Sequence, residues 1–493
     1  MDRRAQESAG PPPPFGARPG AKKNSSLLDQ FASLWQSCVP NHSQDRVQQR
    51  AQTLALSSLL CLGRHTVTGL LSTAGCQFQD WTAAYRLFSK PRLDPATLFA
   101  GIRSACVQQL DAAAPVCISV DDSLLPKTGP KIPGVAWRRD PQGPPFQTNL
   151  IRAQRVLQFS LLLPLPGSTA VRAIPIDFLQ APTPPKLAPN ASAQQKKEHQ
   201  ELSEQLNLST RALQQWKLLQ PSFASHPAIL LSDARFTTRR FLAGLPADVT
   251  LIGRIRKDAK LFYPPTDQPD RGRRRSYGAR CPTPEQIRQD HSVPWQQIRI
   301  HASGADHDCR IKVLDGLLWT PAGAHRRLRL IIIAPLAYRL RLGSRLLYRN
   351  PAFLICTDPQ LSAQQIVQFY FRRWDIEVNF REEKTLLGVG QAQVRTLPSC
   401  QALPAFQVAA YALLLLAAAA ISPSDLLPLP KWRASHPAER ISTQRLLQNL
   451  RFEVWGRGLG LSHFSGFSSS SSSSENPEKL LHALPSALFY AQA

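Results

Sequence analysis

The chain lacks the cysteine spacing, the leader segment and the long apolar run that would place it among disulfide-rich, zinc-binding or membrane proteins. Its nine cysteines are odd in number and scattered, without a C-x-x-C pair or a histidine at zinc-ligand spacing. The N-terminal residues include no apolar stretch of the kind that signal peptides contain. The longest apolar run, residues 408–421, is too short to span a bilayer and predicts a buried helix. We therefore expect a cytoplasmic protein with no membrane partner.

Acidic residues are scarce relative to basic ones. Lysine and arginine number 59 against 34 aspartates and glutamates, which gives a formal net charge of +25 and a pI near 10.2. A chain with 43% hydrophobic residues is expected to be globular, and its positive field attracts polyanions, of which nucleic acid is the leading candidate. The alternative is a ribosome-associated protein, or a surface that is basic without a nucleic-acid partner.

The period of the hydrophobic residues differs from one segment of the chain to the next. Apolar residues three and four apart predict helices from Ser26 to about Leu110, whereas short apolar runs bounded by Pro, Gly and Asp predict strands from Pro115 onward. Strands that alternate with helices predict a mixed α/β sheet. The predicted division is a disordered tail (1–25), a helical domain (26–112), a first part of the α/β core (113–262), a β-rich insertion (263–350), a second part of the core (351–422) and a C-terminal region with a serine linker (423–493).

Acidic residues follow two of the predicted strands. Asp121 and Asp122 come directly after the apolar strand at residues 115–120, and Asp233 follows the strand at residues 228–232. Carboxylates at the ends of neighbouring strands converge at one edge of an α/β sheet, and oxygen ligands of this kind suit Mg²⁺. Two such ions can activate the attacking oxygen and stabilise the leaving oxygen of a phosphodiester. Each aspartate taken alone could instead be a turn former or a helix N-cap.

A third acid, Glu377, lies in a long helix predicted over residues 362–388. At about 100° per residue, four polar side chains of this helix fall on one narrow stripe: Tyr370, Arg373, Glu377 and Lys384. A carboxylate flanked by cations and a phenol is what a site for metal and phosphate needs. The alternative is a solvated face with an Arg–Glu pair, which the aromatic residues on the same helix argue against. Glu382 and Glu383 are the better candidates for plain surface charge.

The spacing of these four residues matches a known signature. Tyr370, Arg373, Glu377 and Lys384 reproduce the Y-(2)-R-(3)-E-(6)-K pattern of a large group of bacterial insertion-sequence transposases of the DDE type, and the chain resembles that group in two further blocks. The segment VDDSLLPKTG is similar to the first-acid block, and LLSDARFTTRRFLAGL is similar to the second. The resemblance covers roughly residues 115–420.

The resemblance implies a fold and a metal site. The fold is a ribonuclease H-like mixed sheet core, split by a β-rich insertion and preceded by a helical N-terminal DNA-binding domain. Three carboxylates hold two Mg²⁺ ions, which Mn²⁺ could replace. The ligands are Asp233, Glu377 and one member of the aspartate doublet. We favour Asp122, directly before Ser123, with Asp121 as a close second.

The same resemblance implies the partners and the reaction. Double-stranded DNA is the partner, bound by a homodimer in the bacterial cytoplasm, on the nucleoid. Near the cleaved end, its phosphates are held by Tyr370, Arg373 and Lys384. Hydrolysis at an element end frees a 3′-hydroxyl, which then attacks target DNA in line. Two alternatives stay open: a nuclease of the same fold that cuts without joining, and an immobile relic that only binds DNA.

A basic stretch in the predicted insertion is a second candidate for DNA contact. Residues 271–280 (RGRRRSYGAR) are rich in arginine. We expect Arg273, Arg274 and Arg275 to contact backbone phosphates. The alternative is a solvated loop with no partner.

Overall fold

The structure is a computed structural model of the chain. The described residues are 26–39, 44–90, 92–140, 143–144, 146–166, 168–268, 271–302, 304–341, 343–430, 440–456 and 488–489. The predicted tail, residues 1–25, and the serine run at residues 468–474 lie outside the described residues.

Strands form where apolar runs are bounded by turn residues, and the first of them is buried on both faces. Ile118 and Val120 enter a large core shared with the N-terminal helices, whereas Cys117 enters a smaller core on the opposite face. The strands are β1 (Val116–Pro126), β2 (Val135–Arg139), β3 (Leu150–Pro164), β4 (Val171–Gln180), β5 (Ala228–Ser232), β6 (Val249–Arg254), β7 (Leu261–Phe262), β8 (Gln296–Ala302), β9 (Ala305–Trp319), β10 (Gly323–Ile333), β11 (Ala337–Tyr338), β12 (Leu347–Tyr348) and β13 (Ala352–Cys356).

Five strands in the order β4-β3-β1-β5-β6 form the part of the sheet that positions the candidate site. β3 runs antiparallel to β1 and to β4, whereas β5 runs parallel to both β1 and β6. With helices packed on the sheet, this mixed α/β arrangement is consistent with the ribonuclease H-like fold expected from the sequence. β5 ends at Ser232, opposite Val120, whereas β1 continues to Pro126, so Asp121 and Asp122 lie within β1 and not directly after the strand as the sequence predicted.

The strands predicted as a β-rich insertion continue the same sheet. β13 pairs with β6 on one side and with β10 on the other, and β9 follows β10. β7 and β8 both pair with β9, while β11 and β12 form a separate two-stranded sheet. β8, β9 and β10 of the predicted insertion are therefore hydrogen-bonded into the core sheet, and the status of residues 263–350 as an insertion stays a prediction.

Helices cover the sheet and make up the N-terminal part of the chain. Several begin at polar N-cap residues, and Ser26, Ser192, Thr283 and Ser362 each form a capping box. The helices are α1 (Leu27–Cys38), α2 (Asp45–Leu60), α3 (Val67–Thr73), α4 (Thr82–Ser89), α5 (Pro95–Gln108), α6 (Ala193–Gln205), α7 (Leu208–Leu219), α8 (Arg239–Gly244), α9 (Pro284–Gln289), α10 (Ala363–Arg372), α11 (Asp375–Thr385), α12 (Leu397–Ala418) and α13 (Thr443–Arg451).

The apolar run that predicted a buried helix lies in α12, at the centre of the helical packing. α12 contacts α1, α2, α4 and α5 on one side and β4 on another. Among the described residues it is the one helix long and apolar enough to cross a membrane, and 89% of its most apolar stretch is buried inside the protein. Its Phe406 packs edge-on against Trp35 and Phe88. The N-terminal helices and the sheet thus share one core across the predicted boundary at residue 112, and the division there stays a prediction.

The single helix predicted over residues 362–388 is wrong, because the structure has two helices there. α10 ends at Arg372 and α11 begins at Asp375. Between them, the N–H of Arg373 lies 3.2 Å from the carbonyl oxygens three and four residues before it, so the turn is tighter than in an α-helix. The stripe calculated for one regular helix therefore does not hold across this turn.

Candidate active site

Asp121 and Asp233 lie beside each other at the same edge of the sheet. The register pairs Val120 of β1 with Ser232 of β5, and the next residue in each case is one of these aspartates. Neighbouring strands are about 4.8 Å apart, and paired residues point to the same face. The structure therefore brings Asp233 together with one member of the aspartate doublet.

Asp233 also begins the turn that leads from β5 to α8. Its Oδ1 accepts a hydrogen bond of 2.8 Å from the backbone N–H of Arg235, and its carbonyl oxygen accepts one from the Thr237 hydroxyl. This is the structural role that a strand-terminal aspartate commonly has. The side-chain part of the turn uses one carboxylate oxygen, so a second role for the other oxygen is compatible with it.

Arg373 links Glu377 to the first strand. Its Nη2 lies 2.8 Å from Glu377 Oε1, and its Nη1 lies 3.3 Å from Asp121 Oδ2. The arginine is buried, and its Nε has no hydrogen-bond partner among the described residues. A buried guanidinium between two carboxylates compensates part of their charge. Asp121, Asp233 and Glu377 thus lie in one neighbourhood, and Arg373 joins two of them.

Negative charge on this side of the sheet is incompletely compensated. Burial is the main reason why the pKa of Asp121 is raised to about 7, and the charge of Asp233 adds to the rise. Arg373 acts in the opposite direction without cancelling it. A carboxylate held beside a second carboxylate in a buried place is stabilised by an added cation.

The three carboxylates suit a divalent cation by their chemistry, since oxygen ligands at one sheet edge are what Mg²⁺ takes in proteins. In the part of the chain that the structure describes, however, no three His, Cys, Asp or Glu side chains are close enough together to hold an ion. In this arrangement the guanidinium of Arg373, and not a shared ion, connects Asp121 to Glu377. The three carboxylates are of the kind that bind a divalent cation, but the guanidinium of Arg373 lies between two of them in this arrangement.

Asp122 points to the opposite face of β1, because side chains alternate along a strand. Its oxygens accept hydrogen bonds of 2.6 and 2.8 Å from Nη1 of Arg235, and its side chain is only 3% exposed. Burial lowers the pKa of Arg138 and Arg155, and the nearby Asp122 raises both. The member of the doublet that faces the other two acids is therefore Asp121 and not the favoured Asp122, and which of the two binds metal stays a prediction.

The other two members of the four-residue signature also lie near β1. Lys384 Nζ donates a hydrogen bond of 2.6 Å to the hydroxyl of Ser123, the residue after the doublet. Tyr370 is half-buried, and the centroid of its ring lies 5.6 Å from Cζ of Arg373. The segment formed by α10 and α11 thus contacts the end of β1 twice, through Arg373 and through Lys384. A role of these side chains in holding DNA stays a prediction.

The predicted basic loop lies apart from these carboxylates. Arg273, Arg274 and Arg275 are exposed in the loop after β7, where the Arg275 N–H donates a 2.9 Å hydrogen bond to the side chain of Gln268. No hydrogen bond or ion pair between described residues joins these arginines to the three acids. Their contact with DNA phosphates also stays a prediction.

The prediction that Glu382 and Glu383 carry plain surface charge is wrong. Glu383 is buried, and burial raises its pKa to about 8. Glu382 accepts hydrogen bonds from the hydroxyls of Tyr411 on α12 and Thr443 on α13. α11 packs against β1, β3 and β4 as well. No local sequence pattern predicts this burial, because α11 is mostly polar and is buried by the packing of other elements against it.

Arg235 and Ser123 are the site residues that the sequence reasoning missed. Arg235 uses its backbone to bind Asp233 and its guanidinium to bind Asp122, so it fixes the relation between β1 and β5. The Ser123 hydroxyl accepts a hydrogen bond from Lys384, the lysine of the signature. Their one signal in the sequence is position, since each lies within two residues of one of the candidate aspartates.

Comparison with known families agrees with this geometry. A family model described as DDE superfamily endonuclease matches residues 36–311, which is more than half of the chain. The chain therefore belongs to this family, whose members act on DNA. The match includes Asp121 and Asp233, whereas Glu377 lies beyond it. No curated protein matches the chain.

Proposed function

We propose that this member of the DDE endonuclease superfamily is a DNA transposase of the Y-(2)-R-(3)-E-(6)-K group. It would cut DNA at the ends of an element and join the freed 3′-hydroxyl to target DNA. The observation that carries the proposal is that Asp121 and Asp233 directly follow the paired residues Val120 and Ser232 of two parallel strands, with Glu377 linked to Asp121 through Arg373. The net charge of +25 supports a polyanionic substrate.

The metal site of this proposal consists of Asp121, Asp233 and Glu377, which would hold two Mg²⁺ ions, or Mn²⁺ in their place. When bound, such ions activate the attacking oxygen and stabilise the leaving oxygen of a phosphodiester. For an ion to be shared between Asp121 and Glu377, Arg373 must release at least one of them. A DNA phosphate is a suitable new partner for its guanidinium, because arginine forms paired hydrogen bonds with phosphate as it does with carboxylate.

The reaction needs no covalent attachment to the protein. In the cut, a water oxygen bonds to phosphorus while the bond from phosphorus to O3′ breaks, which leaves a 3′-hydroxyl and a 5′-phosphate. In the joining step, that 3′-hydroxyl bonds to a target phosphorus and the target's own O3′ leaves. The side chains of Tyr370, Arg373 and Lys384 would orient the phosphates for in-line attack. Two copies of the chain, as a homodimer, would hold the two element ends together.

The test is a product assay with labelled end DNA and target DNA in Mg²⁺. The wild-type protein should produce a nick with a free 3′-hydroxyl and then joined molecules, and Glu377→Gln should bind the DNA without cutting it. Cutting without any joining would favour the second candidate, a nuclease, which the family description of an endonuclease supports. Binding by the wild-type protein without metal-dependent cutting would contradict both enzymes and leave a DNA-binding relic.

A further inference from the structure

β2 and β3 form a ribbon that extends past the end of β1. The pairing of β1 with β3 stops opposite Ala153. β2 continues along β3 beyond that point and pairs Trp137 with Arg152 and Arg139 with Leu150. This two-stranded ribbon is therefore the part of the sheet that projects beyond the strand carrying the aspartate doublet.

One face of the ribbon is the same sheet face that carries Asp121. Asp121 pairs with Gln158 of β3, and residues an even number apart on a strand point to the same side. Arg152, six residues before Gln158, therefore lies on that face, and so does its cross-strand partner Trp137. Six residues of extended strand separate Arg152 from the candidate active site by about 20 Å.

This face exposes large apolar side chains beside arginines. Trp137 is 60% exposed, Leu150 is 50% exposed, and Phe146, in the turn between the strands, is 97% exposed. Arg152 Cζ lies 4.8 Å from the centroid of the Trp137 ring, which is the geometry of a cation–π pair. Arg139 is exposed on the same side. Aromatic rings left in solvent next to cations are typical of an interaction surface.

The charge of the segment indicates the kind of partner. From Lys127 to Arg155 the sequence has six basic residues and one acid, Asp140, and two of the six, Arg139 and Arg152, lie on this face. Nucleic acid offers phosphates to the arginines and flat apolar bases to the aromatic rings, a combination that an acidic protein surface does not provide. The chemistry of the ribbon therefore favours DNA over a protein partner.

We propose that the exposed face of the ribbon, formed by Trp137, Arg139, Leu150 and Arg152, binds DNA about six base pairs from the cleaved bond, together with Phe146 in the turn that joins the two strands. The distance follows from about 20 Å of strand and about 3.4 Å of duplex per base pair. The arginines contact phosphates, and the aromatic rings pack against a base that is unstacked at that point. The position is counted from the candidate active site, so this inference rests on the proposed function.

The test measures the affinity of the wild-type protein and of the double variant Trp137→Ala/Arg152→Ala for end DNA. On each side of the cut in turn, the duplex extends either about 3 or about 12 base pairs past the cut. The wild-type protein should bind the longer DNA about tenfold more tightly on one side. The variant should lose this gain and bind the shorter DNA normally. Lys217→Ala/Leu218→Ala is the matched control, because it removes one cation and one exposed apolar side chain from α7 and should keep the gain.

A second readout reports the base directly. 2-Aminopurine at the sixth base pair should change its fluorescence when the wild-type protein binds and not when the variant binds. An equal gain with length in wild type and variant would overturn the inference, whereas a wild-type protein that neither binds nor cuts end DNA would overturn the proposed function. If the double variant melts early, Arg139→Glu tests the same face without disturbing the cation–π pair, and a retained gain there would count against the inference.

Discussion

The two faces of β1 hold neighbouring aspartates in opposite electrostatic surroundings. On one face, Asp122 is paired with Arg235 and has two more arginines near it. On the other, Asp121 lies beside Asp233 and shares Arg373 with Glu377. Both aspartates lie in the middle of the same strand, so position along the strand does not separate them. The degree to which cations compensate the acid does separate them.

The largest expected difference between the faces is in catalysis. We expect Asp121→Asn to slow cleavage of end DNA by about a thousandfold or more, because it would remove a ligand of the proposed metal site, and Asp122→Asn to slow it by less than about tenfold. Asp233→Asn and Glu377→Gln should behave like Asp121→Asn. The measurement is single-turnover cleavage in Mg²⁺ with saturating DNA. Near-normal cutting by Asp121→Asn together with an inactive Asp122→Asn would restore Asp122 as the ligand.

Replacing the arginine on each face should have different effects on cleavage. Arg373→Ala is expected to reduce cleavage about a hundredfold and to lower the free energy of unfolding as well, because Asp121 and Glu377 lose their shared cation and, in the proposed complex, a DNA phosphate loses its guanidinium partner. Arg235→Ala should change cleavage less than about fivefold but lower the free energy of unfolding by about 1–2 kcal/mol, since buried Asp122 loses its partner. Cleavage rates and urea unfolding of both variants provide the comparison. Equal effects of the two variants on cleavage would remove the distinction.

A smaller effect concerns how stability depends on pH through Glu383, a buried acid on the same face as Asp121. The pKa of Glu383 is raised to about 8 in the folded chain from an ordinary value of 4.5, mainly by burial. Its contribution to stability is therefore complete below about pH 4.5 and is lost as the pH rises through about 8. We expect Glu383→Gln to melt higher than the wild-type protein at pH 8, with the difference shrinking towards pH 5. Glu201→Gln, on exposed α6, should show no such trend, and a flat difference for Glu383→Gln would contradict a raised pKa.

The smallest effect lies outside both faces, in the basic loop. Replacing Arg273, Arg274 and Arg275 by alanine should make the plot of log affinity against log salt shallower, by about one unit for each DNA phosphate that the loop no longer neutralises. Binding at low salt should weaken while single-turnover cleavage at saturating DNA stays near the wild-type rate. An unchanged slope would show that these arginines face solvent when DNA is bound.

The strands could be predicted from the sequence because their signal is local. Runs such as PVCISV, AILLSD and PAFLICTD form β1, β5 and β13 where the apolar pattern indicated strands. The prediction that Asp233 lies close to one doublet member follows from the same pattern, because β1 and β5 are parallel neighbours, although the doublet lies within β1 and not at its end. β2 went unpredicted, since the segment VAWRR has no apolar alternation and is a strand through its pairing with β3.

What could not be predicted depends on which elements enclose a residue. The choice within the doublet required the direction of each side chain, and a one-residue shift in the strand reverses it. The break between α10 and α11 lies at a turn whose sequence contains no glycine or proline, and the ion pairs of Arg373 are made there. Glu383 resembles a surface residue in sequence and is buried because β-strands cover α11.

The central position of α12 also determines when this chain can finish folding. Trp35 and Phe88 complete their packing on Phe406, and the carboxylate of Glu453 accepts hydrogen bonds from the backbone N–H groups at the start of α1. Translation makes the N-terminal helices first, yet their partners emerge from the ribosome only after most of the chain has been synthesised. A nascent chain interrupted before residue 397 would therefore expose the apolar sides of these helices, and such products should be substrates for chaperones and proteases.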